Sequence, residues 1–161
     1  MAKSSVKFLA DQNISQKLIA ILNHLGEKSI SSIYRTDMVD WLDPDWLPEA
    51  TRRGYICVTC DSRMAVELGT AQILINERAR VIFFGEHFAG SRKWEQALWL
   101  LKHWREIRSF AQGMVRGQLV RVNKNGSIVG VVPGKKRRAF PSRVAMGRKL
   151  AAKNNNGVLR F

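Results

Sequence analysis

Four short apolar runs punctuate this 161-residue chain: VKFLA at 6–10, SISSIY near 29–34, YICVTC at 55–60 and RVIFFG at 80–85. Helical patterning fills the intervals between them. No other feature constrains the fold as strongly. Strands alternating with helices pair in parallel and need helices against the sheet. Ile14, Leu18, Ile21, Leu22 and Leu25 lie on one face of a first helix, which Gly26 ends. A second helix opens at the DPD of 43–45, where acids and a proline suit a first turn, and Gly54 closes it. Pro48 is expected in that first turn. A third helix is predicted over 63–78. The longest, over 91–110, takes Trp94, Leu98, Leu101, Trp104 and Ile107 as its apolar face. After Gly113, two more strands flank Asn125-Gly126, a hairpin turn signal.

The pattern predicts an α/β fold: a three-layer α/β/α sandwich with a central, mainly parallel sheet, plus a C-terminal hairpin and a basic tail. One domain is expected over 6–132 and the tail over 133–161, with a short helix near 143–153. A strand order of 2-1-3-4 makes the first and third strands neighbours where the order reverses. Ligands bind at that point, off the carboxyl ends of the strands. Asp11 ends the first strand and Asp61 the third, and Asp43 or Asp45 starts the helix between them. Taken singly, each acid reads as a helix cap; for the group of three, cap and site are equally open readings. Taken together they offer hard oxygen ligands without Cys or His, which select Mg²⁺ or Mn²⁺ over zinc. Such an ion activates water and steadies an in-line phosphoryl displacement. Glu49, a turn beyond Asp45, is a further candidate ligand.

Charge points to the partner. Lys and Arg number 27 against 13 Asp and Glu, a net of +14. Nine of the basic residues and no acid follow Pro133, so the first 132 residues carry only +5. An excess of this kind favours a polyanion, with nucleic acid ahead of a membrane surface. Lys135, Lys136, Arg137 and Arg138 are expected to track a phosphate backbone without reading sequence. Arg92 and Lys93 open the longest helix, where the N-terminus itself favours phosphate. Trp41 is the candidate for base stacking; His87 reads as an ordinary loop histidine near the same edge. Cys57 and Cys60 mimic a redox C-x-x-C, yet positions i and i+3 of a strand face opposite ways. They are read as small buried residues of a reducing compartment. No apolar run reaches the ~18 residues that span a membrane. The start shows no secretory h-region. A cytoplasmic location is the expectation.

The segments KFLADQNIS, DPDWLPEATRRGYICVTCD and VIFFGEHFAGSRKWEQALWLLKHWREI resemble a PIN-like domain over roughly residues 6–130. The chain is most similar to small PIN-like proteins grouped with toxin–antitoxin ribonucleases and to the related Mut7-C ribonuclease domains. The family pattern puts an acid after the first strand, one at the start of the helix before the third strand, and a T-x-D closing that strand. These fall on Asp11, Asp43 and Asp61, with Thr59 in the hydroxyl position. The resemblance implies a catalytic set of Asp11, Asp43, Asp61 and Thr59, a Mg²⁺ or Mn²⁺ ion held by Asp11, Asp43 and Asp61 with Asp45 and Glu49 as further candidates, and hydrolysis of RNA. It also implies an antitoxin protein as partner; a homodimer is among the open assemblies, and no membrane is expected. Gln12 and Arg63 depart from the pattern, which often has acids there, so a second metal would be weakly held. The expected function is a metal-dependent endoribonuclease, the toxin of a toxin–antitoxin pair. The alternative is a PIN-like RNA-binding or scaffold protein that cleaves weakly or not at all. A signalling receiver is disfavoured, because Glu86 and His87 follow the fourth strand where a lysine would be needed.

Overall fold

The computed structural model describes residues 5–134. The expected phosphate-tracking residues Lys135, Lys136, Arg137 and Arg138 and the helix expected near 143–153 lie outside the described residues. The elements run β1 (Lys7–Ala10), α1 (Gln16–His24), β2 (Ile30–Ser32), α2 (Asp43–Arg52), β3 (Tyr55–Thr59), α3 (Leu68–Asn76), β4 (Val81–Phe84), α4 (Glu86–Ala89), α5 (Lys93–Ala111), β5 (Leu119–Val122) and β6 (Ile128–Gly130). Short 3₁₀ turns occupy Ile33–Arg35 and Ser62–Ala65. The chain is α/β, with one six-stranded sheet in the order β2-β1-β3-β4-β5-β6. The first five strands in that order run parallel, and β6 pairs antiparallel with β5. Among the described residues no helix is long and apolar enough to cross a membrane.

Strand alternation sends successive side chains to opposite faces. Phe8, Ala10, Ile56, Val58, Ile82, Phe84, Val120 and Val122 join residues of α1 and α5 in one buried cluster. Leu9, Cys57, Val81, Phe83 and Leu119 join residues of α2 and α3 in another. Cys57 and Cys60 therefore fall in different clusters, and both are free thiols. Burial pushes the Cys57 thiol up to about 12.

Three boundaries depart from the sequence reading. The helix expected over 63–78 is shorter, because the Asp61 side chain accepts from Arg63 N–H and winds Ser62–Ala65 into a 3₁₀ turn first. Pro48 lies inside α2 rather than in its first turn. The expected face of α5 is rotated: Trp94 is 74% exposed, Leu98 52% and Leu101 43%, whereas Gln96, Leu100, His103, Trp104 and Ile107 are buried. Two polar residues inside the true stripe hid its 3.6-residue period. His103 belongs there because the β5–β6 turn seats against it. Gly126 in that turn has φ +87°, and a Cβ added to it would collide with the His103 ring.

Glu27, just after α1, ties the two ends of one face together. Its carboxylate accepts from Ser29 N–H and Oγ, from Trp104 Nε1 at 3.1 Å and from Arg108 at 3.1 Å. Burial pushes this carboxyl up, but the Ser29, Trp104 and Arg108 donors outweigh it and hold it below its usual range. A depressed folded pKa contributes stability above the unfolded value, about 4.3, and loses it as pH falls through the folded one. Glu27→Gln is expected to lower unfolding stability by about 1–3 kcal/mol at pH 7 in urea titrations. The deficit should close as pH is lowered through the carboxylate range.

Candidate metal and nucleic-acid site

The site forms where β1 and β3 end side by side. Ala10 pairs with Val58, and Asp11 N–H donates to Val58 O at 2.9 Å, carrying the ladder one residue past the strand. This places Asp11 beside Thr59. The Thr59 hydroxyl donates to Asp11 Oδ2 at 2.9 Å and accepts from Asp61 N–H at 3.0 Å. Thr59 is fully buried and Asp11 only 4% exposed. Asn13 Nδ2 donates to Asp11 Oδ2 at 3.1 Å, and Gln12 N–H donates to Oδ1.

Among the described residues, Asp11 is thus a buried carboxylate with donors but no cation among its partners. Burial pushes its pKa up; the Thr59, Gln12 and Asn13 hydrogen bonds pull it down, and the nearby Asp43 charge pushes it up again, leaving it raised. Asp43 is the first residue of α2, and its Oδ1 accepts from Trp46 Nε1 at 2.9 Å. Trp46 is 2% exposed, so the core sets where that carboxylate stands.

Asp61 differs from the other two. Its Oδ1 accepts from Arg63 N–H at 3.0 Å and from Nε at 2.9 Å, and its Oδ2 accepts from Nη2 at 2.9 Å. Hydrogen bonds from Arg63 hold its carboxyl below the ordinary range. The Arg63 guanidinium also feels the charges of Glu67 and Asp43. Asp11, Asp43, Asp61, Thr59 and Arg63 are therefore brought to one edge of the sheet.

Asp45 and Glu49 are not part of this group. Asp45 is exposed and lines a groove with Trp41, Glu49, Arg52 and Arg116. Glu49 accepts from both Arg52 and Arg53, each at 2.6 Å. Among the described residues no three His, Cys, Asp or Glu side chains are grouped so as to hold a metal ion. The structure does not assemble the five acids expected from the sequence into one ligand set. The local reason is that arginines four or fewer residues away already engage Glu49 and Asp61. Two carboxylates are nevertheless enough for Mg²⁺, which keeps several waters and completes its octahedron with substrate phosphate. Asp11 and Asp43 are the two that could hold such an ion, since a buried carboxylate with a like charge nearby favours a cation.

Of the expected phosphate contacts, Arg92 and Lys93 are exposed at the start of α5. Arg92 N–H donates to Glu95 Oε2 at 2.9 Å, so the helix end is partly capped from within. The Lys93 charge acts on Cys60, next to Asp61 in sequence, so that ammonium is within electrostatic range of the end of β3. Trp41 is 39% exposed and lies in the groove with Asp45. His87 packs on Trp99 with ring centroids 5.0 Å apart, beside a cavity of about 270 Å³, and burial lowers its pKa. Gln12 takes up a structural role at the position where an acid was expected. Its side chain donates to Val39 O, and its carbonyl accepts from Tyr34 Oη at 3.3 Å, pinning the loop before α2.

Sequence reasoning treated Arg63 as a mere departure and missed Asn13 and Trp46. The D-S-R spacing carried a signal for Arg63, because a residue two positions past a capping Asp presents its N–H and side chain back to that acid. Comparison with protein-family models, with curated proteins and with solved structures finds no match.

Proposed function

We propose that the chain is a PIN-like ribonuclease, built as an α/β/α sandwich with a C-terminal hairpin, that works with one hard divalent cation, Mg²⁺ or Mn²⁺. The observation that carries this reading is the buried Asp11 carboxylate at the switch point, without a cationic partner among the described residues and within electrostatic reach of Asp43. The bound ion supplies activation of water and positive charge for the phosphoryl oxygens. Asp11 and Asp43 hold it. Thr59 and Asn13 fix the Asp11 carboxylate in one orientation by hydrogen bonds. Lys93 and the basic surface hold the phosphate backbone. The resemblance to toxin–antitoxin ribonucleases extends the proposal to a toxin whose site an antitoxin protein covers.

The test is a gel of cellular RNAs incubated with the protein. Cleavage is expected with Mn²⁺ and is expected to be absent in EDTA. Equal cleavage in EDTA would refute the metal-dependent mechanism. The Arg63–Asp61 pair favours a second reading, a PIN-like RNA-binding protein that does not cleave, because it neutralises an acid that a fully charged site would keep free. RNA binding without cleavage, and no heat of Mn²⁺ binding by calorimetry, would establish that reading instead.

A further inference from the structure

We infer that Arg63 is the second cation of this site, contacting a non-bridging oxygen of the bound phosphodiester, and that Asp61 is its positioning residue rather than a third metal ligand. This rests on the single-ion ribonuclease reading above and assigns roles within the same site.

A guanidinium has five N–H donors in a planar fork. Asp61 takes Nε–H and one N–H of Nη2. Both protons of Nη1 and the second of Nη2 remain uncommitted to Asp61, on a side chain that is 73% exposed. Bidentate pairing fixes the plane of the fork, so those donors have a set direction. The Arg63 backbone N–H also donates to Asp61 Oδ1, so both ends of the residue are fastened to one carboxylate. Asp61 carries three donors in this arrangement and has little lone-pair capacity left for an ion.

Charge leads to the same assignment. Arg63 is paired with the Asp61 carboxylate, and the Glu67 and Asp43 charges add to the negative field on it. Among the described residues, Arg63 is the cation that acts on Asp61. A phosphodiester approaching Asp11 and Asp43 meets strong negative charge. One divalent ion and one guanidinium together offset it, where a fully acidic site would take two divalent ions. Arginine suits this role better than lysine, because its fork can serve a carboxylate on one side and a phosphate on the other. The chemical class recognised is a phosphodiester backbone, with no information about the base.

The experiment uses the full chain and two readouts. Calorimetry measures Mn²⁺ affinity, and fluorescence anisotropy measures affinity for a short fluorescein-labelled single-stranded RNA, with Ca²⁺ replacing Mn²⁺ to slow cleavage. Arg63→Ala is expected to leave Mn²⁺ affinity within about twofold and to weaken RNA binding about tenfold, the loss of one charge-assisted contact. Arg63→Lys should recover part of the loss. Asp61→Asn should weaken RNA to a similar degree with Mn²⁺ affinity retained, and the double variant should be no weaker than either single one. Circular dichroism melts confirm that the variants fold. A large loss of Mn²⁺ affinity in Asp61→Asn would make Asp61 a ligand and overturn the assignment. Unchanged RNA affinity in Arg63→Ala would reduce Arg63 to a solvated partner of Asp61, and a large gain in Mn²⁺ affinity would make it only a block on the site. A wild type that binds no Mn²⁺ but loses RNA affinity on Arg63→Ala would end the ribonuclease reading and keep the phosphate contact. A wild type that binds neither would end both.

Discussion

Asp11→Asn is expected to lower RNA cleavage by on the order of a thousandfold, because it removes the one carboxylate whose field is least screened by water. The same change should abolish measurable Mn²⁺ binding in calorimetry while leaving the far-ultraviolet spectrum unchanged. Its effect on stability has a definite sign. Burial raises the folded pKa of Asp11 above its unfolded value, with Asp43 adding to the shift. A raised pKa means that the linked stability is complete below the ordinary aspartate value, about 3.9, and is lost as pH rises through the folded value. The wild type therefore carries an electrostatic penalty at neutral pH that the amide does not. The difference in melting temperature, variant minus wild type, should be largest near pH 7 without divalent ions and should fall as the solution is acidified through the carboxylate range. Added Mn²⁺ should raise the melting temperature of the wild type alone. A difference that grows on acidification would contradict this account of Asp11.

Trp46→Ala is expected to cost about 3–5 kcal/mol, the range for removing a buried tryptophan side chain. Trp46 is 2% exposed in the cluster formed by α2 and α3 against the sheet, beside Leu47, Met64 and Phe83. Urea titration gives the number directly. Trp46→Phe separates packing from the hydrogen bond. It keeps most of the apolar volume but removes the Nε1 donor that holds Asp43 Oδ1 at 2.9 Å. Its stability should lie much nearer the wild type, while Mn²⁺ affinity should fall severalfold because Asp43 is freed to rotate. Unchanged affinity in a stable Trp46→Phe protein would mean that this indole has no part in placing the carboxylate.

The amino-acid pattern alone decided the α/β class, the succession of strands and helices apart from the short α4, and the placement of Asp11 and Asp61 at strand ends. Those features are local. Runs such as VKFLA and VIFFG suit buried strands whatever surrounds them, and an acid that follows them at once must lie at the edge. The order β2-β1-β3 brings the two strand ends together. Only the tertiary structure decided how the side chains distribute their charge. Nothing local distinguishes Asp43 from Asp45, but packing buries Trp46, and Trp46 takes Asp43 as its acceptor. Glu49 looked like a ligand by helical spacing until Arg52 and Arg53 engaged it. The inward face of α5 was hidden because its stripe includes Gln96 and His103, which are buried by α4 and by the β5–β6 turn they contact rather than by their own hydrophobicity. Propensity and periodicity act over a few residues and can be read in order along the chain. Which carboxylate remains unneutralised depends on partners distant in sequence or on competing neighbours, and that is settled only when the chain has folded.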